Sequence, residues 1–138
     1  TMEAVSKGAN ETGGRVIGIV CDEIEAWRDV TPNAYLTETQ RFPTLKERLM
    51  HLVEAADAYI ALPGGVGTLA EIAITWNQMQ TAAIPDRPLI VVGDGWRATF
   101  QAFIDGQPGH VRPPHAALLH YASDIEEALA TLATRLGD

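Results

Sequence analysis

Short apolar runs rich in Val, Ile and Leu alternate along the chain with stretches of helical periodicity. Residues 15–21, 58–62, 88–92 and 116–121 read as strands, and residues 43–56, 68–80, about 96–104 and 123–136 read as helices. Ser123-Asp124-Ile125-Glu126 supplies an S-x-x-E start for the last helix. Near-continuous apolar strands separated by helices predict an α/β fold, Rossmann-like, with a parallel sheet and flanking helices. Residues 22–42 are polar and irregular, with Thr31-Pro32-Asn33 as a turn, and are expected to form a long active-site loop; residues 106–114 form another loop. Residues 2–9 read as the tail of a helix that Gly13-Gly14 caps before the strand at Arg15. A doubly wound domain rarely opens in mid-helix, so an N-terminal strand and the first turn of a phosphate-binding helix are expected to be missing from this chain.

Within this pattern, residues 58–85 hold one charged side chain, Glu71. A segment that excludes charge for so long is expected to be buried, so a lone carboxylate in it needs a partner or a task. Glu71 follows the turn Pro63-Gly64-Gly65-Val66-Gly67, which links a strand to a helix opening at Thr68. Backbone N–H groups of such a turn converge at the strand's carboxyl end and suit an anion, and glycines let a phosphate approach without Cβ interference. Gly64, Gly65, Val66, Gly67 and Thr68 are therefore the candidate phosphate or nucleotide site. The plainer reading is a structural turn followed by a capping box, Thr68-Leu69-Ala70-Glu71. A P-loop is excluded, since no lysine precedes Thr68. Gly65-Val66-Gly67-Thr68-Leu69-Ala70 satisfies G-x-G-x-x-A, but the nearest acid after the next strand, Asp94, comes later than a ribose-binding acid should.

The helix after the turn carries Leu69, Ile72, Ala73, Trp76 and Met79 on one stripe and Glu71, Ile74, Thr75 and Gln78 on the other side. Apolar groups on two faces predict a homodimer with Ile74 and Gln78 near the seam. Burial raises the pKa of a carboxylate and a nearby helix N-terminus lowers it, which makes Glu71 a candidate general acid or base. In the preceding helix Leu45, Leu49, Leu52, Val53 and Ala56 share one arc, with Arg48 at its edge. A crossover helix runs antiparallel to the strand it feeds, so Arg48 is expected level with the glycine turn, where a guanidinium can clamp a phosphate. The alternative is a surface arginine paired with Glu47 or His51.

Composition narrows the function classes. The 138 residues are 46% hydrophobic and 20% charged, as expected of a single domain, 1–138. A formal charge of −8 argues against nucleic acid or an anionic membrane as partner, and no apolar run reaches the length of a membrane span. The lone cysteine, Cys21, suits a reducing, cytoplasmic setting and is expected to pack rather than react. His51, His110, His115 and His120 lack the spacing and companions of a metal site, so no metal and no cofactor are expected.

Pro63-Gly64-Gly65-Val66-Gly67-Thr68-Leu69-Ala70-Glu71 resembles the P-G-G-x-G-T-x-x-E signature of the Lonely Guy (LOG) family, once described as lysine decarboxylases. Similarity extends to Glu47-Arg48, to Asp57 through Leu62, to Ile74-Thr75-Trp76-Asn77-Gln78 and to Arg87-Pro88-Leu89-Ile90. The resemblance implies a homodimeric nucleoside 5′-monophosphate phosphoribohydrolase that turns a nucleotide such as AMP, or an N6-modified adenine nucleotide, into free base and ribose 5-phosphate. It also implies that Arg48 and Glu71 are catalytic and that the glycine turn holds the phosphate. Leu49 stands where the family usually has lysine, and by the resemblance the family's first strand-helix-strand, with its own glycine-rich loop, is expected to be missing from this chain. Relatives in the group include molybdenum-cofactor carriers, so a non-catalytic nucleotide or molybdenum-cofactor carrier is the alternative. Lysine decarboxylation is not expected, because neither Lys7 nor Lys46 sits in a recognisable pyridoxal-phosphate setting.

Overall fold

The computed structural model describes residues 2–27, 29 and 33–137. Its contacts divide the chain into two compact units, 1–55 and 56–138. Each is built from parallel strands and helices, as the alternating pattern requires.

The first unit opens with α1 (Met2–Glu11). Gly13, at φ +79°, and Gly14 close the helix through hydrogen bonds to the carbonyls of Asn10 and Ala9, the helix stop expected at these glycines. Strand β1 (Ile17–Cys21) follows, then a short helix α2 (Asp22–Trp27) and strand β2 (Glu38–Phe42), which pairs with β1 in parallel from Ile17↔Glu38 to Cys21↔Phe42. The segment expected as one long loop, 22–42, thus contains a helix and a strand. The expected turn at Thr31-Pro32-Asn33 falls largely outside the described residues.

Strand β2 escapes an apolar-run search because Phe42 is its only apolar residue. Polar pairing holds it instead. Arg15 bonds Glu38, Gln40 bonds Glu38 at 3.0 Å, and Arg41 bonds Asp22 at 2.7 Å and Glu25 at 2.6 Å. Exposed pairs of this kind contribute little individually, so their effect is mainly to fix register. Helix α3 (Leu45–Ala55) begins with a capping box: Thr44 Oγ1 accepts from Glu47 N at 3.2 Å, while Glu47 Oε2 accepts from Thr44 N at 3.2 Å. Glu23 Oε2 takes a further donor of this helix end, Leu45 N, at 2.7 Å.

The second unit runs β3 (Tyr59–Ala61), α4 (Val66–Gln80), β4 (Leu89–Val92), α5 (Asp94–Gly106), α6 (Pro113–Ala116), β5 (Leu119–Ala122) and α7 (Ile125–Leu136). Its strands lie in the order β3-β4-β5, all parallel, with Ile60 beside Ile90 and Ile90 beside His120. Central strand β4 is buried at all four positions, which is why Leu89-Ile90-Val91-Val92 shows no alternation. Right-handed crossovers between sequential neighbours put α4 and α5 on one face of the sheet. The edge-to-face contact of Trp76 with Phe100, at 5.9 Å between ring centroids, joins those two helices. Ile90, Val92, Ala122 and Ala128 form a core cluster that brings α7 against the sheet. The segment read as a strand from Ala116 is divided: Ala116 ends α6, and β5 begins at Leu119.

The stripe expected to be core in α4 splits as well. Ile72, Trp76 and Met79 are buried together with Thr75, whereas Leu69 and Ala73 are exposed. Ile74 and Gln78, expected at a dimer seam, are half-buried within the chain itself.

Helix α7 starts one residue later than its S-x-x-E pattern suggests. Asp124 is the cap, its Oδ1 accepting from Glu127 N at 2.9 Å, and Glu127 Oε2 accepts from Ser123 N at 2.7 Å. The hydrogen bond from the Ser123 backbone holds the Glu127 carboxyl below its ordinary value. A depressed carboxylate contributes stability that is present above its unfolded pKa and lost as pH falls through its folded pKa. Urea unfolding of wild type and Glu127→Ala between about pH 7 and about pH 3 should therefore show a wild-type advantage at the neutral end that shrinks below the ordinary carboxylate range. An advantage that grows on acidification would contradict this assignment.

Candidate functional site

At the carboxyl end of β3 the chain passes through Leu62-Pro63-Gly64-Gly65 directly into α4. Gly65 is the N-cap, extended at φ −99° and ψ −153°, with no side chain capping the helix and no acid in its first turn. The helix end thus presents backbone donors and a positive dipole terminus without the usual Ser, Asp or Thr oxygen in front of them. The alternative reading of Thr68-Leu69-Ala70-Glu71 as a capping box is overturned, because Thr68 is the third helical residue and Glu71 the sixth. The same T-x-x-E pattern is realised at Thr44, where the helix begins just after the threonine instead of two residues before it.

The glycines of the turn differ in what they do. A Cβ on Gly64 would lie 2.2 Å from Thr68 Oγ1 and 2.9 Å from Thr68 Cβ, so the turn and the first helical turn fit together only with hydrogen there. A Cβ on Gly65 or Gly67 would meet nothing within 4 Å. Neither the backbone angles nor the packing of the described residues demands glycine at these two places. Val66 between them is 83% exposed, an apolar side chain at the mouth of the helix end.

Glu71 lies one helical turn beyond Gly67 and Thr68, hence on the same side of α4 as they are. It is half-buried, and its backbone carbonyl accepts Thr75 Oγ1 at 2.7 Å. Gly64, Gly65, Val66, Gly67, Thr68 and Glu71 are thus gathered at one strand-to-helix junction, as the sequence pattern predicts.

Arg48 belongs to the other unit, on α3, and is half-buried there. Its Nε donates to the carbonyl of Ile19, in the middle of β1, at 2.9 Å. Of the partners considered for a surface arginine, Glu47 bonds Thr44 and His51 lies against the Phe42 ring, 4.8 Å between centroids. Arg48 is anchored on a strand.

Beside the glycine turn, a cleft of about 260 Å³ opens between the ends of β3 and β4, with Pro63 and Gly64 on one side and Gly93, Gly95, Trp96 and Thr99 on the other. Gly93 sits at φ +104°, a region that favours glycine, and its N–H bonds the carbonyl of Ala122 at 2.8 Å. This second glycine turn is legible as Val92-Gly93-Asp94-Gly95, a repeat of the strand-then-glycine pattern one strand later. His51 and His115 make local contacts. His115 bonds Arg112 through its ring at 3.0 Å and accepts Trp76 Nε1 on its carbonyl at 2.7 Å, and burial pushes the His120 imidazole below its ordinary value, with Arg135 acting in the same direction. Cys21 is buried, and among the described residues no group of three or more His, Cys, Asp or Glu side chains is placed to hold a metal. No helix among them is long and apolar enough to cross a membrane.

Comparison with known proteins gives this chain a lineage. A rice protein described as a probable cytokinin riboside 5′-monophosphate phosphoribohydrolase is 32% identical over 139 aligned positions, covering 95% of this chain and 53% of the relative. A cytokinin riboside 5′-monophosphate phosphoribohydrolase of Mycobacterium tuberculosis is 29% identical over 137 positions, covering 96% of this chain and 71% of its own length. The chain therefore spans about half the length of the rice relative. In fold it is similar to the molybdenum cofactor carrier protein of Chlamydomonas reinhardtii, with a TM-score of 0.60 and 19% identity over 96% of this chain and 69% of that one. The family model described as possible lysine decarboxylase matches residues 2–132, across both units, and the chain accordingly belongs to that family, the Lonely Guy (LOG) family.

Proposed function

We propose that the protein acts as a nucleoside 5′-monophosphate phosphoribohydrolase, releasing a free base and ribose 5-phosphate. One observation carries the reading: the N-terminus of α4 has no capping side chain and is flanked by Gly65 and Gly67, where a Cβ would meet only open space. Glycines that no protein contact requires are explained by the close approach of something else, and a helix N-terminus favours an anion. The relatives, described as acting on riboside 5′-monophosphates, support the 5′-phosphate of a nucleotide as that anion. Gly64, Gly65, Val66, Gly67 and Thr68 then bind the phosphate of a substrate such as AMP or its N6-modified forms. The reading takes 1–138 as one domain, supported by a family match that runs unbroken across both units. It extends to a homodimer in a reducing, cytoplasmic setting, which suits the free thiol of Cys21.

In the reaction the C1′–N bond breaks, the base leaves with the electron pair and takes up a proton, and the oxygen of water bonds C1′. The transition state carries positive charge on the ribose and negative charge on the base. Glu71, on the phosphate side of α4, stabilises the sugar cation or accepts the proton of the attacking water. Arg48 orients the phosphoribosyl group, and its Nε bond to Ile19 fixes the side chain for that task.

Base release from AMP and N6-isopentenyl-AMP tests the proposal. Wild type should cleave at least one of them, while Glu71→Gln and Arg48→Ala should each lose about 10²-fold or more in kcat with the fold intact. Retained turnover in both variants would remove the site assignment, and AMP bound without cleavage by wild type would make the protein a carrier.

The glycines separate stability from binding. Gly64→Ala should cost roughly 1–3 kcal/mol in urea unfolding through its clash with Thr68, whereas Gly65→Ala should unfold like wild type and bind AMP at least about tenfold more weakly. Equal AMP affinity in Gly65→Ala would show that nothing approaches that position.

A further inference from the structure

The second glycine turn brings a tryptophan to the first. Trp96, in the opening turn of α5, donates its indole N–H to the carbonyl of Leu62 at 3.1 Å. Leu62 immediately precedes Pro63-Gly64-Gly65, so this bond attaches the stem of the proposed phosphate turn to the neighbouring helix. The ring is held in turn by stacking on Phe100, 5.8 Å between centroids and 29° between planes, and Phe100 is buried. Gly93 lets the chain turn sharply enough at the end of β4 to deliver Trp96 there, with its own Cβ position 3.6 Å from Pro63 Cγ. The result is a chain of contacts from the core through Phe100 and Trp96 to a turn that has two glycines and no side-chain cap of its own.

We infer that Trp96 is a positioning residue for anion binding: its indole N–H holds the Pro63-Gly64-Gly65 turn in the form that presents the α4 backbone donors, and it forms the wall of the cleft beside them. The inference rests on the phosphate-turn reading for its ligand but not for its mechanical content. A turn rich in glycine has a large conformational entropy to lose on binding, and a tether that removes this freedom beforehand strengthens binding without touching the ligand. Trp96 therefore acts on affinity and leaves the chemical step to other residues.

The test uses Trp96→Phe, which keeps an aromatic ring beside Phe100 while removing the indole N–H together with part of the ring, with Phe100→Leu as the converse variant that loosens the stack and keeps the donor. AMP and inorganic phosphate affinities are measured by calorimetry, steady-state kinetics on AMP by base release, and backbone order parameters of Gly64, Gly65 and Val66 by nitrogen-15 relaxation. Trp96→Phe should bind AMP and phosphate about fivefold more weakly, as loss of one hydrogen bond implies. KM should rise by a similar factor with kcat within about twofold of wild type, and the order parameters should fall from the rigid-backbone range toward about 0.6. Phe100→Leu should lower the melting temperature more than Trp96→Phe does, with a smaller loss of AMP affinity. Unchanged affinity together with unchanged order parameters in Trp96→Phe overturns the inference. If wild type binds neither AMP nor phosphate, the proposed function falls, and the order parameters alone then decide whether Trp96 holds the turn.

Discussion

The passage from β3 into α4 is possible in this form only because Gly64 has no side chain. With a Cβ there, 2.2 Å from Thr68 Oγ1, the turn would have to open and the first turn of α4 would shift away from the end of the strand. Everything proposed for the site follows from that contact. It lets the helix begin at Val66 instead of at Thr68, which leaves Gly65 as an N-cap without an oxygen and the first donors of the helix facing outward. It also sets the rotation of α4, so that Glu71 follows on the side of Gly67 and Thr68 while Ile72, Trp76 and Met79 enter the core. A packing requirement at one glycine and open space at the next two are different constraints, and only the second points to a ligand.

The second unit was the more legible because its central strand, β4, is buried on both faces. Leu89-Ile90-Val91-Val92 carries no polar residue, and such a run admits few readings once glycines bound it. The junction at Pro63–Gly67 was equally plain, since a strand, a glycine cluster and a helix follow one another without interruption. What sequence misplaced there was the helix start, because Thr68-x-x-Glu71 imitates a capping box. Whether a T-x-x-E pattern caps depends on where the helical dihedrals begin, and at this junction the glycine contact decides that, not the threonine. The true box, at Thr44, has side-chain partners on both sides of the exchange, and at Asp124 the cap accepts from Glu127 N while Glu127 accepts from Ser123 N, one residue before the cap.

The first unit hid its second strand for a different reason. Glu38-Thr39-Gln40-Arg41-Phe42 is held in register by Arg15, Asp22 and Glu25, and charge pairing between residues sixteen or more positions apart leaves no periodic trace. Arg48 shows the same limit at the level of a single residue. Its position at the edge of an apolar arc was readable, but its bond to the Ile19 carbonyl depends on how α3 lies on β1, which periodicity does not contain.

The order β3-β4-β5 is also the order of synthesis. Each strand of the second unit adds beside the one made just before it, after a single crossover, so no strand has to be inserted between two that are already paired. The loop-closure entropy for each addition is that of one crossover and does not accumulate along the chain. Growth by addition at one open edge has low contact order for a parallel sheet, the topology that otherwise folds slowly. The glycine turn lies at the first of these crossovers, so its stem strand is made before the tryptophan that is proposed to hold it.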